Sequence, residues 1–201
     1  MKIFLTSAGF ANKVLGEAFV KELSKQAAHP HVLLVTYAQN EDEQFYVNES
    51  IKELENLGVR YITTFNLNTP MDIKLLPSFD AIYVCGGNTF AILKKLKETG
   101  LDKFIISQVK NRSIYVGVSA GSIIAGPDIK IAGHGSEGDP NDVKLVDLNG
   151  FKLTDKIIFP HFREPLRGEV VSFQKLVKQE VVPLTNEQAL IIIDDKVRLV
   201  E

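Results

Sequence analysis

The chain has 201 residues, of which 45% are apolar, and a formal net charge of −2. This length suits one domain spanning residues 1–201, and this apolar content can form a hydrophobic core without disulfides. The small net charge argues against nucleic acid or an acidic membrane as the main partner, and Cys85, the only cysteine, excludes an intramolecular disulfide and a metal site built from thiolates.

The N-terminal sequence MKIFLTSAGF predicts a first strand over 2–7 and not a secretory signal, because its apolar stretch is too short. No stretch of the chain approaches the roughly 18 consecutive apolar residues that a membrane span needs. We therefore expect a cytoplasmic protein that has no membrane or nucleic-acid partner and uses no cofactor.

Apolar runs and amphipathic segments then alternate up to residue 119. Because the runs are apolar throughout and helices fall between them, the pattern predicts an α/β fold, a doubly wound and mostly parallel sheet flanked by helices. The further strands are expected over 31–38, 59–67, 79–87 and 113–119, and the helices over 11–27, 40–58, 88–99 and 102–110.

The pattern loosens after residue 126. Residues 126–150 are rich in Gly, Asp, Asn and Pro, which predicts loops with a hairpin. A strand over 156–162 and a helix over 164–179 follow. The segment 189–201 is typical of two strands joined at Asp194 and Asp195.

A serine motif stands at the end of the predicted strand 113–119. Gly117 to Gly121 fit Gly-x-Ser-x-Gly, with Ser119 at the centre. Ligands of parallel sheets bind beyond the C-terminal ends of the strands, and in a nucleophile elbow the serine occupies a sharp strand-to-helix turn with small neighbours. We interpret Ser119 as a nucleophile; the alternative is that the glycines serve only helix–sheet packing.

A serine hydroxyl needs a base to become a nucleophile at neutral pH. Among four histidines, His161 ends the predicted strand 156–162 and so lies at the same edge of the sheet as Ser119. The other three are expected at the opposite edge or in the glycine-rich loop. His161 is therefore the predicted base.

The sequence leaves alternatives for the other two parts of an acyl-transfer site, the acid that orients the histidine and the N–H groups that stabilise the oxyanion. The loop between Ser119 and His161 offers three carboxylates to orient the histidine, and the residues leave the choice among them open. The backbone N–H of Ala120 and that of Gly86 or Gly87 could stabilise an oxyanion. The carboxylates are those of Glu137, Asp139 and Asp142.

Three motifs taken together resemble the peptidase E family of serine peptidases, the aspartyl dipeptidases, which have the cyanophycinases as relatives. They are CGGNTF (85–90), GVSAGS (117–122) and FPHF (159–162), and the resemblance extends over about residues 1–180. It implies a class I glutamine-amidotransferase-like fold, a flavodoxin-like three-layer sandwich, with a serine where related folds use cysteine.

The resemblance also implies roles at matching positions. Ser119 matches the nucleophile, His161 the base, and Gly87 and Ala120 the oxyanion donors. Asp139 is the first match to the triad aspartate, and Glu137 is the second.

The resemblance implies a small peptide as the substrate, with a dipeptide that has an acidic first residue as the candidate. The family holds that residue with an arginine downstream of its histidine motif, and Arg163 and Arg167 lie in this stretch. A guanidinium suits a carboxylate as a bidentate partner. Gly86 and Asn88 are further candidates for substrate binding, although Asn88 could instead cap the helix that follows it.

Two other functions fit the same residues. The fold could bind a small ligand without turnover, or the same machinery could serve an esterase or amidase. A phosphate-binding loop is disfavoured after the first strand, because TSAGFANK has one glycine. The sequence leaves the oligomeric state open, a homodimer included.

Overall fold

The computed structural model describes residues 1–70 and 72–201. The helices are α1 (Lys13–Leu23), α2 (Glu41–Asn56), α3 (Thr89–Thr99), α4 (Leu101–Lys110), α5 (Ala120–Ile124) and α6 (Arg167–Gln174). The strands are β1 (Lys2–Thr6), β2 (His31–Thr36), β3 (Tyr61–Asn66), β4 (Ala81–Val84), β5 (Ile114–Val118), β6 (Ile157–Phe159), β7 (Val181–Pro183), β8 (Ala189–Ile193) and β9 (Lys196–Val200).

Seven of the strands form one sheet in the order β3-β2-β4-β5-β1-β8-β9. The first five in that order are parallel, whereas β8 is antiparallel to β1 and β9 is antiparallel to β8. β6 and β7 form a separate parallel pair. The predicted doubly wound, mostly parallel α/β sheet is confirmed.

Helices cover both faces of the sheet, which produces three layers and two buried clusters. On one face, α3, α4 and α5 pack against strand residues such as Leu5, Leu33 and Ile82. On the other face, α1 and α2 pack against neighbours of these residues, such as Phe4 and Leu34. Because successive side chains of a strand point to opposite faces, both sets must be apolar. This is why the parallel strands have nearly continuous apolar sequences.

The predicted elements up to residue 119 are confirmed, with ends that differ by zero to four residues. The C-terminal prediction of one helix over 164–179 is wrong, because a 3₁₀ turn (Glu164–Leu166) precedes α6, which ends at Gln174. The Gln174 side chain donates to the Gln179 carbonyl and accepts from the Val181 N–H, so it turns the chain into β7. The sequence analysis did not predict β7.

The predicted hairpin within 126–150 is also wrong. This segment contains a 3₁₀ turn, Lys130–Gly133, and one isolated bridge between Asp128 and Asn149. The terminal hairpin is confirmed, since β8 and β9 pair antiparallel and are joined by Asp194 and Asp195, both with positive φ.

Within the described residues, no helix combines the length and the apolar character that crossing a bilayer requires.

One buried hydroxyl fixes α5 to the sheet. The Oγ atom of Ser122, a residue with 0% exposure, accepts from the N–H of Thr6 at 2.9 Å. The same hydroxyl donates its single proton to the carbonyl oxygens of Thr6 and Gly117, which both lie 2.7 Å from Oγ and share this proton. These contacts join α5 to the C-terminal ends of β1 and β5.

We predict that Ser122→Ala lowers the free energy of unfolding by about 1–3 kcal/mol, because it leaves the buried Thr6 N–H without an acceptor. Urea unfolding followed by circular dichroism measures the change. Ser24→Ala is the matched control, because this exposed hydroxyl bonds only to the Lys21 carbonyl at the end of α1, and its effect should stay within about 0.5 kcal/mol. Equal effects of the two substitutions would contradict the prediction.

Candidate active site

Ser119 occupies a strained turn between β5 and α5. Its φ of 50° and ψ of −108° are unusual for a residue with a side chain and cost on the order of 1–3 kcal/mol. The surrounding backbone holds it there: its N–H donates to the Thr6 carbonyl at 2.9 Å, and its carbonyl accepts from Ser122 and Ile123. The turn directs the Ser119 side chain out of the sheet edge.

The two glycines of the serine motif are required by close packing. A Cβ atom on Gly117 would lie 2.6 Å from the backbone of Gly121, and one on Gly121 would lie 2.3 Å from the carbonyl oxygen of Val84. α5 therefore starts in contact with both β5 and β4. The packing role of these glycines is confirmed, and the same contacts determine where Ser119 stands.

His161 follows β6 and faces Ser119. Its Nε2 atom lies 2.8 Å from Ser119 Oγ, and its own φ is 55°. The His161 N–H donates to Ser7 Oγ at 3.0 Å, and the Ser7 hydroxyl donates to the carbonyl of Leu184 at 2.9 Å. The histidine backbone is thus anchored to the loop that follows β1 and to the loop that follows β7.

The second ring nitrogen of His161 contacts an amide. Nδ1 lies 2.8 Å from Oδ1 of Asn186, in the loop between β7 and β8. An amide oxygen only accepts hydrogen bonds, so Nδ1 carries a proton in this contact and Nε2 is left to accept from Ser119. Asn186 therefore selects the tautomer that a general base needs.

This contact corrects the expectation that a carboxylate between Ser119 and His161 orients the ring. The Oδ2 atom of Asp139 accepts from the Thr89 N–H at 2.8 Å, at the start of α3. The carboxylate of Glu137 pairs with Arg163, and Asp142 is exposed. In this structure none of the three contacts the histidine ring.

Sequence reasoning missed Asn186 because it sought an acid in the wrong segment. The sequence did contain a signal for this position, because a strand was predicted to begin at residue 189, just after the loop that contains Asn186. Because β8 runs antiparallel to β1, the residues before it lie at the carboxyl edge of the parallel strands, where Ser119 and His161 lie.

The two predicted oxyanion donors, Ala120 and Gly87, are near Ser119 in the chain or in the cavity lining. Ala120 is the first residue of α5, so its N–H has no acceptor within the helix. Gly87 has a φ of 135°, and it lines both of the cavities that reach Ser119. A Cβ atom on Gly86 would lie 3.2 Å from that of Ser119, so glycine keeps the approach to the serine open.

A large and a small cavity flank Ser119 and His161. The large cavity has a volume of about 960 Å³ and extends over the loop after β1 toward α2. The small cavity, of about 130 Å³, lies against α5 and the 131–139 segment. Both are lined by Gly87, Ser119 and His161, so a ligand that spans them passes over the serine.

Asn88 has a structural position. Its Oδ1 atom accepts from the Ala91 N–H and caps α3, while its Nδ2 atom donates to the carbonyl of Pro140. The capping alternative is confirmed. Asn88 does not belong to the described residues that line the two cavities.

The two arginines proposed for substrate binding are paired with acids of the chain. Arg163 contacts Glu137, which lines the small cavity. Arg167 forms two hydrogen bonds with Glu164, at 2.7 and 2.9 Å. Neither arginine is among the described residues that line the cavities. Arg163 is nevertheless connected to the small cavity, because its partner Glu137 lines that cavity.

The large cavity is lined by two buried ionisable residues, Tyr83 and Cys85, and by the half-buried Glu53. The Tyr83 hydroxyl donates to Oε2 of Glu53 at 3.0 Å, and the Phe10 N–H donates to Oε1 at 2.5 Å. Burial raises the pKa of the Glu53 carboxyl. Burial also raises the pKa of the Cys85 thiol to about 12, although a weak contact with Ser50 opposes the shift.

Comparison with known proteins gives matches along nearly the whole chain. The model of peptidase family S51 matches residues 3–200. An uncharacterized peptidase of Listeria monocytogenes is 34% identical over 161 residues, 76% of each chain. Peptidase E of Salmonella typhimurium is 33% identical over 124 residues, which cover 60% of this chain and 50% of the Salmonella protein.

Solved structures agree with the sequence matches. The crystal structure of a candidate peptidase E from Listeria monocytogenes superposes with a TM-score of 0.76 at 27% identity, covering 100% of this chain and 98% of the other. A peptidase from an acI-B1 actinobacterium has the same fold, with a TM-score of 0.71 at 17% identity over 99% of this chain and 86% of the other.

We predict that Cys85 resists thiol reagents while the protein is folded. A pKa of about 12 leaves about one thiol in 10⁴ ionised at about pH 8, whereas an unfolded cysteine, with a pKa near 8.5, is about a quarter ionised. Labelling by a disulfide reagent should therefore be at least about 100-fold slower in the native protein than in concentrated guanidinium chloride. Equal labelling rates in the two states would contradict the raised pKa.

Proposed function

The chain belongs to peptidase family S51, and on that premise we propose that it is a serine-type peptidase that hydrolyses dipeptides, with Ser119 as the nucleophile. The observation that carries the proposal is the 2.8 Å contact between Ser119 Oγ and His161 Nε2 at a point where two cavities meet. The family match itself supports peptidase activity; the residues and the substrate class are our inference.

In the proposed mechanism, the strained turn at Ser119 acts as a nucleophile elbow. The Ser119 hydroxyl attacks the peptide carbonyl as His161 Nε2 takes its proton, and the imidazolium then gives that proton to the leaving amine. The N–H groups of Gly87 and Ala120 stabilise the oxyanion. Water then repeats the sequence to release the acyl product.

We assign Asn186 the positioning role that an acid has in many serine hydrolases. A Cys-His-Asn arrangement serves papain-like proteases, so a neutral amide suffices to hold a catalytic imidazole. Here the acceptor lies 2.8 Å from Nδ1, whereas Asp139 and Glu137 are engaged elsewhere. Asp139 instead joins the loop after the 3₁₀ turn to the start of α3.

The small cavity supports a substrate with a free amino terminus. Its lining includes the carboxylates of Glu137, Asp139 and Glu169, and its volume of about 130 Å³ suits one small residue. These acids would attract an ammonium group. Arg163, beside Glu137, would take an acidic side chain if it exchanged partners, which is the basis for proposing an acidic first residue.

The proposal is tested by hydrolysis of a dipeptide panel that includes Asp-Ala, Glu-Ala, Asn-Ala and isoaspartyl-Ala. We expect the wild-type protein to cleave at least one, and Ser119→Ala to lose about 10³-fold or more in kcat. A fluorophosphonate probe should label the wild type and not Ser119→Ala.

Two outcomes would reject this function in distinguishable ways. If no dipeptide of the panel is hydrolysed but p-nitrophenyl esters are, the protein is an esterase. If neither substrate class is hydrolysed, the protein is a binding module. Probe labelling of Ser119→Ala would remove the nucleophile assignment alone.

We predict that Asn186→Ala lowers kcat by about 10- to 10⁴-fold with a smaller change in KM, because the His161 ring loses the acceptor that fixes its tautomer. Asn186→Asp should retain most of the activity, since a carboxylate oxygen accepts from the same N–H. Steady-state kinetics on the best dipeptide of the panel provides the measurement. If Asp139→Asn abolished turnover while Asn186→Ala did not, the positioning role would belong to Asp139.

A further inference from the structure

The large cavity has a carboxylate in its wall that no cation among the described residues neutralises. Glu53, on α2, accepts from two neutral donors, the Phe10 N–H and the Tyr83 hydroxyl. Among the described residues, no ion pair includes Glu53, and a Cβ atom on Gly9 would lie 2.6 Å from its Oε2 atom. The backbone of Gly9 therefore lies against this carboxylate, at a distance that only a glycine permits.

The other charged residues that line the cavity lie on α2 and include one ion pair. Lys52 pairs with Glu49 at 2.7 Å, and both side chains are about half exposed or more, so this pair lies at the mouth of the cavity. Glu43 accepts from the Gln39 N–H beside the start of α2. Glu53 is half-buried and, unlike Lys52 and Glu49, belongs to no ion pair among the described residues.

Several aromatic residues contribute to the lining of the large cavity, which also includes Ser119 and Glu53. Tyr83 and Phe10 stand next to the carboxylate, and Tyr37, Phe45 and Tyr46 contribute to the walls. Such rings cover the methylene stem of a long side chain and attract a cation at its end.

From this geometry we infer that the large cavity is a subsite for a basic residue, whose lysine or arginine side chain extends from the scissile bond along the aromatic wall and ends on Glu53. The inference rests on the proposed function, which places the first residue of a dipeptide in the small cavity. The second residue, on the leaving-group side, is then the basic one. The expected substrates are dipeptides that end in lysine or arginine.

The energetic reason is the incomplete solvation of Glu53. Burial raises the pKa of this carboxyl, and the hydrogen bonds from the Phe10 N–H and the Tyr83 hydroxyl only partly oppose the shift. A ligand ammonium at this position would supply the missing charge. Norleucine has the same stem without the charge, so a comparison between lysine and norleucine isolates this contribution.

The experiment compares three dipeptides that differ only in the second residue: Asp-Lys, Asp-norleucine and Asp-Glu. We expect kcat/KM for Asp-Lys to exceed that for Asp-norleucine by about 10- to 100-fold. In Glu53→Gln this ratio should fall to about 1, since the side chain carries no charge, while its amide oxygen can still accept from the Phe10 N–H and its amide nitrogen can donate to the Tyr83 hydroxyl oxygen. Glu55→Gln is the matched control: it lies on the exposed part of α2, outside the cavity lining, and should keep the wild-type ratio.

Binding separates this inference from the proposed function. Calorimetric titration of the same dipeptides into Ser119→Ala reports on the subsite without turnover. If no dipeptide is cleaved but Asp-Lys still binds about 10-fold or more tightly than Asp-norleucine, and Glu53→Gln removes the difference, the subsite stands and the peptidase proposal fails. If cleavage occurs with a Lys-to-norleucine ratio near 1, or if Glu53→Gln leaves the ratio unchanged, the subsite is overturned and the peptidase proposal stands.

Discussion

Close packing between α5 and two strand ends is the constraint on which the site depends. Gly117 and Gly121 have no room for a side chain, because each lies against the backbone of a neighbouring element. The buried Ser122 hydroxyl ties the same helix to β1 and β5. With the helix held this close, the chain between β5 and α5 must turn sharply, and Ser119 takes the positive φ that the turn requires. The strain at one residue is offset by contacts of its neighbours.

The histidine side of the site is assembled from segments that are far apart in sequence. His161 is also held at positive φ, and its N–H reaches Ser7 after β1, which in turn reaches the Leu184 carbonyl. The Leu184 carbonyl also accepts from Phe162, and the Leu184 N–H donates to Phe159. One carbonyl therefore sets the spacing between the β6 end, the β1 loop and the loop of Asn186. A distance of 2.8 Å on each side of the imidazole follows from this arrangement.

The sequence predicted those features that depend on local pattern. Alternating apolar strands and helices were sufficient for the parallel sheet, and the strand ends brought Ser119 and His161 to one edge. Asn186 could not be predicted in the same way, because its position depends on β8 pairing antiparallel with β1, a long-range contact. The early end of α6 depends on side-chain hydrogen bonds of Gln174, which periodicity does not reveal. Arg163 and Arg167 have suitable chemistry, but their acidic neighbours Glu137 and Glu164 determine where they point.

The position of Asn186 has a consequence for the order in which the molecule becomes competent during synthesis. The proposed nucleophile, the proposed backbone donors and the imidazole are all present once about residue 162 has emerged from the ribosome. The amide that would orient the ring arrives later, and it is fixed only when the strand after it docks beside the first strand of the chain. On the proposed function, a nascent polypeptide that lacks its last strands would carry the hydrolytic groups without the ring orientation that makes them effective.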